Sequence, residues 1–429
     1  MNREFVRRLG RAAGGHLAAN GTDAPPLAVI GRDTRGSGPE LEDALVAGLR
    51  ESGIDVIRLG AAPTPAVALA VLGWRAGLGA VVTASHNPAD DNGVKFFSGA
   101  GEKLADDAVA EIERCIDNPD TYSDPLRAGV ERKAAEGIPY EEKVAGVLPD
   151  GALAGWTVVL DTAHGAAFRS APAVLRRLGA EVAVLGDAPD GRNINDGAGS
   201  QHPRVMAERV PAAGARLGIA LDGDGDRVVF ADETGSVLSG DEVLAILGLS
   251  ALKRGVLAHD TVVATVQSNL GLDRAIREAG GRVERTDIGD RHVIARMREG
   301  GFNFGGESSG HILFPEVSPA GDGLLAGLKM MEVMRETGLP LSELRRWMQA
   351  YPQLTRSLKT RGRPGMETLV HLAGAIREAE SGLGVEGRVL VRYSGTEPKL
   401  RFLVEGRDRA AVERWMERLT AAAGRDGVV

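Results

Sequence analysis

Leu27-Ala28-Val29-Ile30-Gly31-Arg32-Asp33-Thr34-Arg35 is an apolar stretch that runs out into a polar loop. A helical pattern near residues 39–52 follows, and residues 55–59 form a second apolar stretch. The same order returns twice. Residues 157–160 lead into Asp161-Thr162-Ala163-His164-Gly165, a helix near 167–178 and a strand at 181–185. Residues 261–266 lead into Gln267-Ser268-Asn269, a helix near 270–279 and a strand at 282–286. Strand–helix–strand alternation at this spacing builds βαβ units on mixed, largely parallel sheets. In such sheets ligands sit at the carboxyl ends of the strands, where these loops lie.

The end of the chain follows another pattern. Residues 388–392 and 399–405 are strand-like and joined by Tyr393-Ser394-Gly395-Thr396-Glu397-Pro398. A helix at 409–423 carries Val412, Trp415, Met416 and Leu419 on one face. This predicts an α/β chain of four domains, three alike and the last a small α+β unit, over residues 1–150, 151–250, 251–355 and 356–429. Linkers are expected near 149–155, 249–259 and 350–359. The opening 13 residues are Arg-rich and lack the apolar core of a secretory signal. They read as a surface helix with Phe5, Leu9, Ala12 and Ala13 inward, in preference to a transit peptide.

Composition narrows the function. A length of 429 residues allows two to four domains. The 51 Lys and Arg against 59 Asp and Glu leave a net charge of −8, which argues against a nucleic-acid or membrane-surface binder. No run approaches the roughly 18 apolar residues of a membrane span. A single cysteine, Cys115, allows no internal disulfide and fits a reducing compartment. Any anionic ligand must therefore meet a local cluster of positive charge.

Four motifs carry chemistry. Asp222-Gly223-Asp224-Gly225-Asp226-Arg227 lies between two strand-like stretches. Its alternating carboxylates can fold around one hard cation, and without one they repel. An EF-hand competes, with Glu233 at its twelfth position, but Arg227 stands where that loop needs glycine. Thr83-Ala84-Ser85-His86-Asn87-Pro88 puts Ser85 in an exposed turn as a hydroxyl nucleophile or a helix cap, with Lys95 downstream to balance negative charge. His86 is adjacent, too close in sequence for the base of a serine triad. Gly305-Gly306-Glu307-Ser308-Ser309-Gly310-His311 contains a G-x-S-x-G match. A serine hydrolase acting through Ser308 requires a helix after the turn, however, and Ile312-Leu313-Phe314 is too short and apolar to open one before Pro315. His311 with Glu307 is better placed to meet a polar ligand. Arg392 to Lys399, with Arg401, combines hydroxyls, a glycine and flanking arginines, a pattern suited to phosphate.

In this order the Ser85–Pro88, Asp222–Arg227, Gly306–His311 and Arg392–Pro398 segments resemble the α-D-phosphohexomutase family, and the resemblance covers essentially the whole chain. It implies four domains around a central cleft. Ser85 would be the phosphorylated residue, with His86 beside it. Asp222, Asp224 and Asp226 would hold one Mg²⁺ together with Ser85. Arg227 and Lys95 would steady the phosphoryl group. Glu307, Ser309 and His311 would hold the sugar, with His311 also a proton shuttle, and Gly289, Asp290 and Arg291 would add contacts. Arg392, Ser394, Gly395, Thr396 and Arg401 would grip the non-reacting phosphate.

The segments Asn193-Ile194-Asn195, Gly199 to Pro203 and Gly321-Asp322-Gly323-Leu324 point within the family to the branch acting on glucosamine phosphates through a 1,6-bisphosphate intermediate. Enzymes for glucose or mannose phosphates are the alternative. The resemblance further implies a phosphosugar partner, a homodimer, a cytoplasmic location and a place in amino-sugar and peptidoglycan precursor supply. The strand and Arg-bearing loop with which the family usually opens are not found before Leu27, so an impaired relative is the reading of another class.

Overall fold

The alternation of β-branched strands and alanine- and leucine-rich helices produces three versions of one sheet. The computed structural model describes residues 1–19, 26–118, 127–133, 140–394 and 397–429. The first domain runs α1 (Arg3–Ala19), β1 (Leu27–Arg32), α2 (Gly38–Glu51), β2 (Asp55–Ala61), α3 (Thr64–Trp74), β3 (Leu78–Val82), β4 (Val94–Ser98), α4 (Asp106–Ile116) and β5 (Glu131–Lys133). After α5 (Tyr140–Ala145) come β6 (Thr157–Asp161), α6 (Ser170–Arg177), β7 (Glu181–Leu185), α7 (Arg204–Ala212), β8 (Leu217–Leu221) and β9 (Val228–Asp232). The third set is α8 (Gly240–Lys253), β10 (Thr261–Thr265), α9 (Leu270–Glu278), β11 (Arg282–Thr286), α10 (Asp290–Gly300), β12 (Gly305–Gly306), β13 (Ile312–Leu313), α11 (Gly323–Thr337) and α12 (Leu341–Leu344).

The sheet orders match: β2-β1-β3-β4 with β5 added at its edge, then β7-β6-β8-β9, then β11-β10-β12-β13. In each the last strand alone runs antiparallel, through β3–β4, β8–β9 and β12–β13. The carboxyl ends of β3, β8 and β12 therefore present the Ser85, Asp222 and Glu307 loops in equivalent places.

The fourth domain is β14 (Gln353–Lys359), α13 (Val370–Leu383), β15 (Gly387–Tyr393), β16 (Lys399–Gly406) and α14 (Arg409–Arg425), an antiparallel sheet ordered β14-β16-β15. The alternation of β16 buries Leu400, Phe402 and Val404 against Val412, Met416 and Leu419 of α14. Its other face turns Arg401, Leu403 and Glu405 toward the third domain. Glu405 accepts from the Leu270 amide at the start of α9 (2.7 Å) and from Arg388 Nε (2.8 Å). Arg388 in turn donates to the Val266 carbonyl at 2.9 Å. A polar joint thus carries the fourth domain, whereas the second and third share one apolar core, from Leu160 and Ile219 through Leu244 to Met330.

Three local expectations change. α8 extends through Lys253, crosses the division expected at residue 250, and packs on α9 and α11. Residues 353–359 form β14 where a linker was expected. In α1, Phe5 is 39% exposed and Val6 takes the inward place beside Leu9 and Ala13. The spacing 6, 9, 13, 17 follows the helical repeat into the core more closely than one starting at 5. α1 crosses α2 closely enough that a Cβ on Gly48 would come within 2.0 Å of the Arg7 carbonyl oxygen. Among the described residues no helix is long and apolar enough to cross a membrane.

Candidate functional site

Ser85 follows β3 with φ of 50°, a left-handed conformation uncommon outside glycine. No helix follows it, so it caps none. It is also not exposed as expected: only 7% of it meets solvent, because loops of the first two domains close over it. Its amide donates to Thr83 Oγ1 at 2.9 Å, and its hydroxyl donates to Asp222 Oδ2 at 2.6 Å. His86 Nδ1 lies 3.4 Å from Ser85 Oγ. Burial, aided by Arg227, pushes the His86 imidazole below its ordinary range.

Asp222 follows β8, and the flanking strands β8 and β9 exclude an EF-hand, which needs helices. Asp222, Asp224 and Asp226 are buried, with one oxygen from each within 4.8 Å of the others. Gly223 permits the contact with the serine loop: a Cβ there would stand 2.6 Å from the Ser85 carbonyl oxygen. Lys95 Nζ bridges Asp224 Oδ2 at 2.7 Å and Asp226 Oδ2 at 2.8 Å. Burial opposes its charge, but the two carboxylates outweigh this and hold the ammonium well above its ordinary range. Burial and the neighbouring Asp226 and Asp224 push Asp222 up to about 8. For Asp226 burial acts the same way, but Lys95 and His311 win and hold it well below the carboxylate range. Asp224 Oδ2 also accepts from Thr64 Oγ1 at 2.6 Å, while buried Asp224 Oδ1 has no partner. Three gathered carboxylates with one orphaned oxygen fit a hard divalent cation.

The Gly305–Leu313 segment is a β12–β13 hairpin, closed by the Glu307 amide on the His311 carbonyl at 2.9 Å. A strand follows the turn where a nucleophile elbow needs a helix, which removes the hydrolase reading of Ser308. His311 Nε2 stands 3.1 Å from Asp226 Oδ1, and Nδ1 3.2 Å from Glu307 Oε2. Burial works against a charge on this ring, yet Asp226 and Glu307 prevail and push it up to about 9. Arg227 Nε lies 3.4 Å from His311 Nε2. Glu307 Oε1 accepts from the Gly289 amide at 2.9 Å, which ties the hairpin to the loop before α10.

Ser85, His86, Lys95, the three aspartates, Arg227, Gly289, Glu307 and His311 therefore form one connected cluster from three domains. Asp290 pairs with Lys103, whose Nζ lies 2.6 Å away, and its charge acts on His311. Ser309 is exposed, and Arg291 pairs outward with Asp106 on α4. Arg392 and Arg401 stand opposite each other across β15 and β16. With Gln267, Thr355 and Ser357 they line a separate cavity of about 180 Å³. Burial and the charge of Arg401 push Arg392 below its ordinary range. Two neighbouring cations without a shared carboxylate suit an anion. Arg401 does reach Glu397 at 3.0 Å. Ser394 is buried and its Oγ accepts weakly from the Glu397 amide at 3.4 Å. Gly395 and Thr396 lie outside the described residues.

Motif reading missed Thr64, Lys103 and Arg35. Thr64 opens α3, Lys103 and Arg35 are single polar residues in ordinary loops, and each acts across a long sequence separation. Asn195 was visible only as part of the Asn193–Asn195 loop. Its Nδ2 donates to the Ser85 carbonyl at 2.8 Å and the Asn87 carbonyl at 3.0 Å.

Comparison with known proteins agrees with this architecture. Family models for the alpha/beta/alpha domains I, II and III and the C-terminal domain of phosphoglucomutase/phosphomannomutase match residues 1–123, 145–235, 239–351 and 353–422. The chain belongs to the phosphoglucomutase/phosphomannomutase family. It is 45% identical over 418 residues to a phosphoglucosamine mutase of Syntrophotalea carbinolica, covering 96% of this chain and 91% of that one. A phosphoglucosamine mutase of Cereibacter sphaeroides is 45% identical over 424 residues, covering 98% and 95%. The crystal structure of a phosphoglucomutase/phosphomannomutase family protein from Burkholderia thailandensis superposes with a TM-score of 0.86 at 27% identity, over 100% of this chain and 95% of that one.

Proposed function

We propose that the chain interconverts glucosamine 6-phosphate and glucosamine 1-phosphate, an isomerase working by phosphoryl transfer through Ser85. The observation that carries the chemistry is the Ser85 hydroxyl, hydrogen-bonded at 2.6 Å to a buried three-aspartate cluster that Lys95 bridges. The choice of sugar rests on 45% identity to phosphoglucosamine mutases over nearly the whole chain.

In this reading Asp222, Asp224 and Asp226 would hold a Mg²⁺ ion beside Ser85. When bound, the ion neutralises charge on the transferring phosphoryl group. Phospho-Ser85 loses its phosphoryl group to the sugar 1-oxygen: the P–Oγ bond breaks, the P–O1 bond forms, the O1 hydroxyl proton departs, and Ser85 Oγ gains a proton in its place. His86, its imidazole held neutral 3.4 Å from Ser85 Oγ, is the group placed to take the departing proton, while His311, held protonated between Asp226 and Glu307, is placed to donate one. Glu307 and His311 orient the sugar, while Lys95 and Arg227 face the phosphoryl oxygens. Arg392, Arg401 and the Ser394-Gly395-Thr396 loop hold the other phosphate. The bisphosphate then turns, its 6-phosphoryl group returns to Ser85 Oγ, and O6 regains a proton. One grip must therefore accept a phosphate at either end of the sugar, which suits a pair of arginines better than a shaped sugar pocket. The buried position of Ser85 keeps water from the phosphoserine. A cytoplasmic homodimer is the expected form.

Turnover compared across glucosamine, glucose and mannose 6-phosphates tests the assignment. A kcat/KM at least about 10-fold higher for the amino sugar is expected, about 1.4 kcal/mol of discrimination. Equal or higher values for glucose or mannose phosphate overturn the sugar assignment. Full turnover by Ser85→Ala overturns the mechanism.

A further inference from the structure

We infer that Arg35 is the positioning residue of the Ser85 hydroxyl, a guanidinium clamp that sets where the phosphoryl acceptor stands without touching the sugar. The inference rests on the reading of Ser85 as the phosphorylated residue.

Arg35 lies in the polar loop after β1, and its side chain is fully buried. A guanidinium has five N–H donors, and here all five have acceptors. Nε donates to Asp33 Oδ2 at 2.9 Å. Nη1 donates to the Pro88 carbonyl and to the Asp91 carbonyl at 2.9 Å. Nη2 donates to the Ser85 carbonyl at 3.0 Å and the Asn87 carbonyl at 2.9 Å. Burying a charge is unfavourable unless its hydrogen bonds are met. Four of these five bonds go to carbonyls of the single stretch 85–91, the loop that carries Ser85.

The clamp closes into a ring. The Ser85 amide donates to Thr83 Oγ1, whose hydroxyl donates to Asp33 Oδ2 at 2.6 Å, and Asp33 anchors Arg35. Ser85 is thereby held at both its N–H and its C=O. Its left-handed φ of 50° persists only where the surroundings determine it. From the second domain Asn195 Nδ2 reaches the same Ser85 and Asn87 carbonyls. The two clamps thus register the serine loop against the domain that supplies Asp222. All the partners of Arg35 lie in the first domain, away from Glu307, His311 and the arginine pair of the fourth.

A misplacement near 1 Å can slow a positioned reaction by about 10²-fold. Arg35→Lys keeps the charge, but one ammonium cannot reach carbonyls on two sides. The experiment measures how fast dephosphorylated enzyme takes the phosphoryl group of glucose 1,6-bisphosphate onto Ser85, the departing sugar oxygen gaining the serine proton. Steady-state KM for glucosamine 6-phosphate and amide hydrogen exchange across residues 84–92 are measured alongside. In Arg35→Lys the transfer rate should fall at least about 30-fold with KM within threefold. Exchange over 84–92 should quicken at least about 10-fold with the rest of the chain unchanged. A folded variant with transfer within threefold of the parent overturns the clamp, as does a loss matched by a proportional rise in KM. If Arg35→Lys does not fold, Asn195→Ala decides: about a 10-fold slower transfer at unchanged KM supports the clamp, and less than twofold overturns it. Failure of the parent enzyme to take up any phosphoryl group refutes the phosphoserine reading instead. The exchange comparison still decides the clamp in that case.

Discussion

Thr64→Val should weaken metal binding at a distance from the metal. Thr64 opens α3 in the first domain and belongs to none of the four motifs. Its amide donates to the Asp224 carbonyl at 2.8 Å and its hydroxyl to Asp224 Oδ2 at 2.6 Å. Lys95 takes the same carboxylate oxygen at 2.7 Å, and buried Asp224 Oδ1 is left without a partner. Valine keeps the shape and the amide bond and removes the hydroxyl alone. A hydrogen bond to a buried carboxylate is worth about 1.5–3 kcal/mol. Losing the partner that orients a ligand lowers metal affinity by about 10- to 100-fold, or about 1.4–2.8 kcal/mol. Two measurements check this: the Mg²⁺ concentration giving half-maximal turnover at saturating sugar phosphate, and calorimetric titration of the metal alone. Thr64→Ser retains the hydroxyl and should stay near the parent. A Thr64→Val half-saturation within threefold of the parent would show that Asp224 does not need this tether.

Other outcomes follow from the same geometry. Ser85→Ala should carry no phosphate by intact mass and lose turnover by about 10⁴-fold or more, since the acceptor itself is gone; a phosphorylated, active variant contradicts this. Arg392→Ala should raise KM for the sugar phosphate by about 10- to 100-fold, the loss of a charge-assisted bond of about 1.5–3 kcal/mol, with little change in phosphoserine content; an unchanged KM would place the phosphate elsewhere. Asp322 supplies a pH test. It caps α11 by accepting from the Leu325 amide at 2.9 Å and also accepts from Tyr140 Oη at 3.2 Å. Burial pushes its carboxyl up to about 7. The folded chain then holds a proton that the unfolded chain releases near pH 4. This group's contribution to stability therefore declines as pH rises from about 4 to 7 and stays low above that. Asp322→Asn removes the penalty, so its melting temperature relative to the parent should be more favourable at pH 8 than at pH 5. A pH-independent difference would refute the assigned cause.

Much of the architecture is readable from local pattern. Apolar stretches such as Val262–Ala264 and Leu217–Leu221 lie on strands buried on both faces, and the helices between them carry one apolar side, so the repeats show in one dimension. The Asp222–Asp226 run is equally visible, because three ligand-type residues at spacing two have few other uses. The hairpin at Gly305–Leu313 is legible in part: the short apolar Ile312-Leu313-Phe314 before Pro315 leaves no room for a helix, but only the ladder with β12 shows which strand it pairs with. α8 also escapes, since an apolar helix between two domains does not announce which core it will join.

The sequence alone determined the repeated βαβ units and the kinds of residue in the site: one serine, three aspartates, Lys95, His311 and the arginines of the last domain. Only the tertiary structure decided which of these meet and what holds them. Ser85 meets Asp222 across 137 residues, and Thr64 meets Asp224 across 160. The physical reason is that strand and helix patterns arise from neighbours along the chain. Burial and charge at the site arise instead from loops of three domains brought to one place, so the orphaned Asp224 oxygen and the five filled donors of Arg35 exist only in three dimensions.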